Sequence, residues 1–72
     1  MVFEVSGDDK RLVGTYVISH EVANGAPDCP VWQLGGKKFY IFNNGSDKGW
    51  SIGTKRNLNN GGYLYKSKNW VP

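Results

Sequence analysis

The 72-residue sequence predicts an all-β fold, a small antiparallel meander of five to six short strands, strongly curled or closed into a barrel. Three observations lead there. Asn-Gly occurs at Asn24-Gly25, Asn44-Gly45 and Asn60-Gly61, and Gly35-Gly36 adds a fourth turn signal; these dipeptides favour the positive backbone angles of tight hairpins. Short runs of β-branched and aromatic residues, which suit strands, lie between them. No segment carries convincing helical periodicity.

The strands are expected near residues 2–6, 12–19, 30–34, 37–42, 49–55 and 62–66. The first, "VFEVS", stops at Gly7 and the two aspartates that follow. The second, "LVGTYVIS", runs toward the Asn24-Gly25 turn. The third, "PVWQL", ends on Gly35-Gly36, and the fourth, "KKFYIF", begins just beyond it. The fifth, "GWSIGTK", follows the Asn44-Gly45 turn. The sixth, "GYLYK", follows Asn60-Gly61, and the terminal "NWVP" either packs back or adds a short edge. The connection at 56–61 is ambiguous in length, so either Leu64 or the pair Tyr63 and Tyr65 faces the core.

Register follows from turn length. A two-residue Gly35-Gly36 turn sets Leu34 opposite Lys37, Trp32 opposite Phe39 and Val31 opposite Tyr40. A loop of residues 43–48 sets Ile41 opposite Trp50 and Phe39 opposite Ile52; a tighter turn on Asn44-Gly45 shifts these pairs by two. Either way Trp32, Leu34, Phe39, Ile41, Trp50 and Ile52 share one face, a coherent core with Trp50 inside it. The other face holds Val31, Gln33, Lys38, Tyr40, Phe42 and the nearly bare strip Gly49, Ser51 and Gly53. Two readings of that strip compete. Rings such as Tyr40 or Tyr65 cover it, as aromatic side chains protect glycine in sheets, or it is a shallow platform for a ligand. The first is preferred.

At this length folding buries only about 60% of the unfolded chain's surface. Cys29 is the only cysteine, so no internal disulfide and no zinc spacing is available. Three Trp, four Tyr and three Phe must supply the core. No transmembrane run or signal-peptide pattern occurs. With the single thiol this favours an intracellular compartment, unless the domain has been cut from a longer chain. Asn44-Gly45-Ser46 spells a glycosylation sequon and reads as a turn.

Charge is uneven. Residues 1–36 carry two basic and five acidic side chains, a net −3; residues 37–72 carry seven basic side chains against Asp47 alone, a net +6. A basic edge of this kind steers an acidic partner or simply solvates the domain.

Groups for catalysis are sparse. His20 lies beside Glu21, without an evident nucleophile. Cys29 stands between Asp28 and Pro30, where an acidic neighbour disfavours the thiolate. "NNGSDKG" at 43–49 spaces oxygen ligands as calcium loops do, yet it has one carboxylate; "GDDK" at 7–10 has two. "LGGKK" lacks the helix that completes a phosphate cradle. The sequence therefore predicts no enzyme, no metal and no cofactor.

The motifs occur in a telling order: "VSG" at 5–7, "GTY" at 14–16, "NGAP" at 24–27, "VW" at 31–32, "FYIF" at 39–42, "GWSIG" at 49–53 and "GYLY" at 62–65. Nearly the whole chain thus resembles a short β-rich module of uncharacterised function that recurs in protist multidomain proteins. "DCP" at 28–30 looks like an insertion against that pattern, and Trp32 stands where Tyr is usual. The resemblance implies a modular, non-catalytic domain that accompanies others in larger proteins.

The function expected is a module mediating protein–protein interaction, without membrane insertion, with Lys37, Lys38, Tyr40, Phe42, Ser51, Lys55 and Arg56 as binding residues. Two alternatives use the same aromatic face. One is carbohydrate binding through exposed Tyr40, Phe42 and nearby Asn side chains. The other is a single-stranded nucleic-acid surface that adds Lys66 and Lys68.

Overall fold

A computed structural model describes residues 2–46 and 48–67. Asp47, Lys68 and the terminal "NWVP", and with them the readings that fell on these residues, lie outside the described part. Among the described residues six strands follow one another in a single antiparallel sheet: β1 (Val2–Val5), β2 (Gly14–Ser19), β3 (Val31–Leu34), β4 (Phe39–Asn43), β5 (Trp50–Thr54) and β6 (Tyr65–Ser67). The meander is curled into a half-barrel, as the turn spacing predicts. One helix, α1 (Lys55–Asn60), departs from the all-strand expectation. Among the described residues no helix is long and apolar enough to cross a membrane.

Both expected central registers are displaced by two residues. Trp32 pairs with Ile41 and Gln33 with Tyr40, because residues 35–38 all belong to the connection. The Lys37 N–H donates to the Leu34 carbonyl at 3.0 Å, and the Gln33 side chain donates to the Lys37 carbonyl at 2.8 Å. Lys37 is thereby held in the turn rather than in a ladder. Ile41 pairs with Ile52, Phe39 with Thr54 and Asn43 with Trp50, so the β4–β5 loop spans 44–49, six residues as in the longer expected form but one position further along the chain. The Asn44 N–H to Gly49 carbonyl bond, 2.8 Å, closes that loop. A shift of two leaves every side chain on its face, so the facial assignment survives both displacements.

The inner face carries Leu12, Tyr16, Trp32, Leu34, Ile41 and Ile52 buried together, with Phe3, Val5, Phe39 and Trp50 packed against them. Phe3 meets Trp32 edge-on, with ring centres 5.0 Å apart, and Trp50 leans on Trp32 at 5.9 Å. Phe3 and Trp32 lie two strands apart, so their contact reports the curl. Trp50 is on the expected face but only half-buried. It pairs with Asn43 and Ser67 at the far end of β5, where the inner core tapers.

The outer face has a second core of Ala23, Val31, Tyr40, Phe42 and Leu58. It is roofed by α1 and by the 20–30 connection. The Asn24 N–H donates to the Leu58 carbonyl at 2.8 Å, its side-chain amide donates to the Asn59 carbonyl at 3.1 Å, and Lys55 pairs with Glu21 at 3.4 Å. Local chemistry sets the ends of α1. The Asn57 side-chain oxygen accepts from the Thr54 N–H at 2.9 Å and from its hydroxyl at 3.2 Å. Gly61, at φ 76°, takes the left-handed position that stops the helix. Six residues are too few to print a 3.6-residue period, so α1 is invisible to periodicity.

The bare strip is therefore a packing device. Tyr40 stands opposite Gly53 and Phe42 opposite Ser51, with Tyr40 3% and Phe42 and Ser51 0% exposed. A Cβ on Gly53 would lie 2.6 Å from the Asn57 side-chain oxygen and 2.9 Å from its Cβ. Glycine here lets the helix lie directly on β5. The cover is α1 with the 20–30 connection rather than Tyr65, which is exposed.

Candidate binding cleft

The connection between β1 and β2 folds inward. Its turn is closed by the Leu12 N–H donating to the Asp9 carbonyl at 3.0 Å. The Asp9 carboxylate takes three hydrogen bonds from Arg11: from the backbone N–H at 3.1 Å, from Nε at 3.0 Å and from Nη2 at 2.7 Å. These bonds hold the Asp9 carboxyl below its usual range and push the Arg11 guanidinium up. Leu12 is thus aimed into the inner core, and its carbonyl accepts the buried Tyr16 hydroxyl at 2.8 Å. Burial, reinforced by the Asp9 charge, pushes the Tyr16 phenol up to about 12.

Between this connection and the β5–β6 side of the sheet lies a cleft of about 450 Å³. Its walls are apolar: Val5, Leu12 and Val13 on one side, Ile52 and Tyr65 on the other. Tyr65 is placed there, on the inner side, by its pairing with Ile52, but Tyr63, Leu64 and Tyr65 are all exposed, so neither expected arrangement of the sixth strand puts its side chains in the core. Ser6, Gly7, Asp8 and Asp9 form the rim. The sequence alone does not disclose this site, since 12–13 read as strand and 7–10 as a turn with two carboxylates. The one local signal was the Asp9-x-Arg11 spacing, which lets a carboxylate fork with a guanidinium two residues on.

Of the expected binding residues, three are corrected. Tyr40, Phe42 and Ser51 are buried under α1 and the 20–30 connection and present no surface. The carbohydrate and nucleic-acid alternatives lose the two rings on which they drew. Lys66 also covers a ring of the chain's own, with its ammonium 5.6 Å from the centre of Tyr63. Lys37, Lys38, Lys55 and Arg56 are exposed. Strand pairing puts them at the same end of the sheet as the cleft, since Val5 pairs with Gly14, Tyr16 with Leu34 and Phe39 with Thr54. The cleft rim is locally acidic, and the neighbouring turns are basic.

Elsewhere the chemistry is structural. His20 is exposed and Cys29 half-buried, both in the 20–30 connection. Among the described residues no three His, Cys, Asp or Glu side chains group to hold a metal ion. The sequon asparagine, Asn44, is 6% exposed, and its amide donates to the Gly61 and Gly62 carbonyls at 3.0 and 3.2 Å. Lys48 adds a third bond, to the Gly61 carbonyl at 2.8 Å. Asn44 therefore ties the β4–β5 loop to the end of α1. Compared with known protein families, curated proteins and solved structures, the chain finds no match.

Proposed function

We propose that this chain is a non-catalytic module that binds a polypeptide partner at the end of the sheet where the cleft opens. The observation that carries the reading is the cleft itself. It is apolar within, charged at the rim and built from both ends of the meander, and its 450 Å³ falls within the roughly 300–1,000 Å³ usual for ligand sites. The exposed Lys37, Lys38 and Arg56 at the same end supply charge for orienting a partner. The test is selection from a random-peptide library on the folded chain, followed by amide chemical-shift mapping. Selected peptides should shift residues 5–13, Ile52 and Tyr65. Retention of glycans on an array with no peptide selected would overturn the proposal. So would binding of single-stranded oligonucleotides with a steep salt dependence.

A further inference from the structure

We infer that the cleft takes an apolar side chain from an extended partner segment, and that a Lys or Arg neighbouring it in that segment is held by Asp8. The inference rests on the peptide-binding reading above and assigns the occupant. Three observations converge on it. First, the walls formed by Val5, Leu12, Val13, Ile52 and Tyr65 offer no charge, so what enters must be apolar. Second, the two rim carboxylates differ. Asp9 is occupied by the Arg11 fork at 2.7 and 3.0 Å. Asp8 is exposed and carries no ion pair among the described residues. The rim thus presents one available negative charge beside an apolar hole, complementary to a cation next to an apolar side chain.

Third, the backbone at the rim is bare. Gly7 lines the cleft at φ 151°, and a Cβ there would meet nothing within 4 Å. At Gly53, by contrast, the space is filled by Asn57. Gly7 follows β1, which is the outer strand of the sheet and pairs with β2 alone among the described residues. An open edge leading to a glycine with free space beside it admits a second backbone. Main-chain hydrogen bonding to such an edge favours an extended polypeptide over a compact small molecule. Alternation along that segment would put one side chain into the cleft and its neighbour toward the rim.

The test uses the 72-residue chain and the peptides selected on it. Those peptides should combine an aliphatic or aromatic residue with an adjacent Lys or Arg. Asp8→Lys, at an exposed site, should melt like the parent and bind them at least about tenfold more weakly, since like charges then face one another. Replacing the peptide's Lys or Arg by Glu should weaken binding to the parent and restore it to the Asp8→Lys chain. A different pattern overturns the assignment while leaving the module reading intact: acidic peptides, insensitive to Asp8→Lys and weakened by Lys37→Glu and Lys38→Glu. If no peptide is selected, both fall.

Discussion

The outer face of the sheet is treated in two ways. Over β3–β5 it is roofed: Phe42 and Ser51 are 0% exposed beneath α1 and the 20–30 connection. Over β1–β2 it is bare: Val2 and Val17 pair directly across the strands and stand 57% and 43% exposed. The strands in both halves are short, but their outer faces differ: Glu4 and Thr15 stand beside the valines of β1 and β2, whereas β3 and β4 place Val31, Tyr40 and Phe42 there. The connections complete the difference. The β2–β3 and β5–β6 connections bring Ala23 and Leu58 onto the outer face, whereas the β1–β2 connection turns inward and delivers Leu12 to the inner core. One face of one sheet is thus interior or surface according to where its loops go.

That contrast can be broken most directly with one substitution made twice. Ser51→Lys and Thr15→Lys fall on the same face, one under the roof and one in the open. Ser51→Lys places an unpaired charge in a closed interior at a penalty of several kcal/mol. A domain this small has only about 3–5 kcal/mol in hand. The variant is expected to lose its near-ultraviolet aromatic signal and its cooperative melt at neutral pH. A Ser51→Lys chain melting near the parent temperature would mean the roof does not close.

A less drastic probe is Phe42→Ala, which empties the outer core without adding charge. A loss of about 3–5 kcal/mol is expected in urea unfolding, as for buried Phe truncations. If the roof were loosely held, the side chains around the cavity would settle, and the loss would fall well below this. Gly53→Ala tests the seat of the helix. The added methyl meets Asn57, whose side chain also caps α1, so about 1–3 kcal/mol is expected from overpacking. A neutral Gly53→Ala would show that α1 can lift from β5 freely. The smallest effect belongs to Thr15→Lys, within about 0.5 kcal/mol of the parent as for other open surface sites. A larger loss there would mean that the β1–β2 half is covered too.

Much of this was legible in the residues. Alternation of bulky and small side chains fixed the six inner-face positions, and it did so although both central registers were misjudged. The period of a strand is two, and both errors were shifts of two, so the faces were insensitive to them. Turn signals placed the strands to within a few residues; Gly36, Gly45 and Gly61 take the positive φ that these dipeptides favour, and that preference is local. The roofed strip was also favoured from sequence, on the reasoning that bare backbone attracts cover.

What the sequence did not disclose depends on contacts between distant residues. Helix α1 is too short to show a period, and it persists because Leu58 is buried with Tyr40 and Phe42 and because Thr54, Asn57 and Gly61 define its ends. Tyr40 and Phe42 read as surface rings until a helix and a loop arriving from opposite ends of the sheet closed over them. The cleft joins residues 5–13 to Ile52 and Tyr65, segments some forty positions or more apart in the chain. Which face each strand presents is a property of neighbouring residues and was determined by the sequence alone. Which face meets solvent, and where a hollow remains, depends on how the connections pack, and only the tertiary structure decided that.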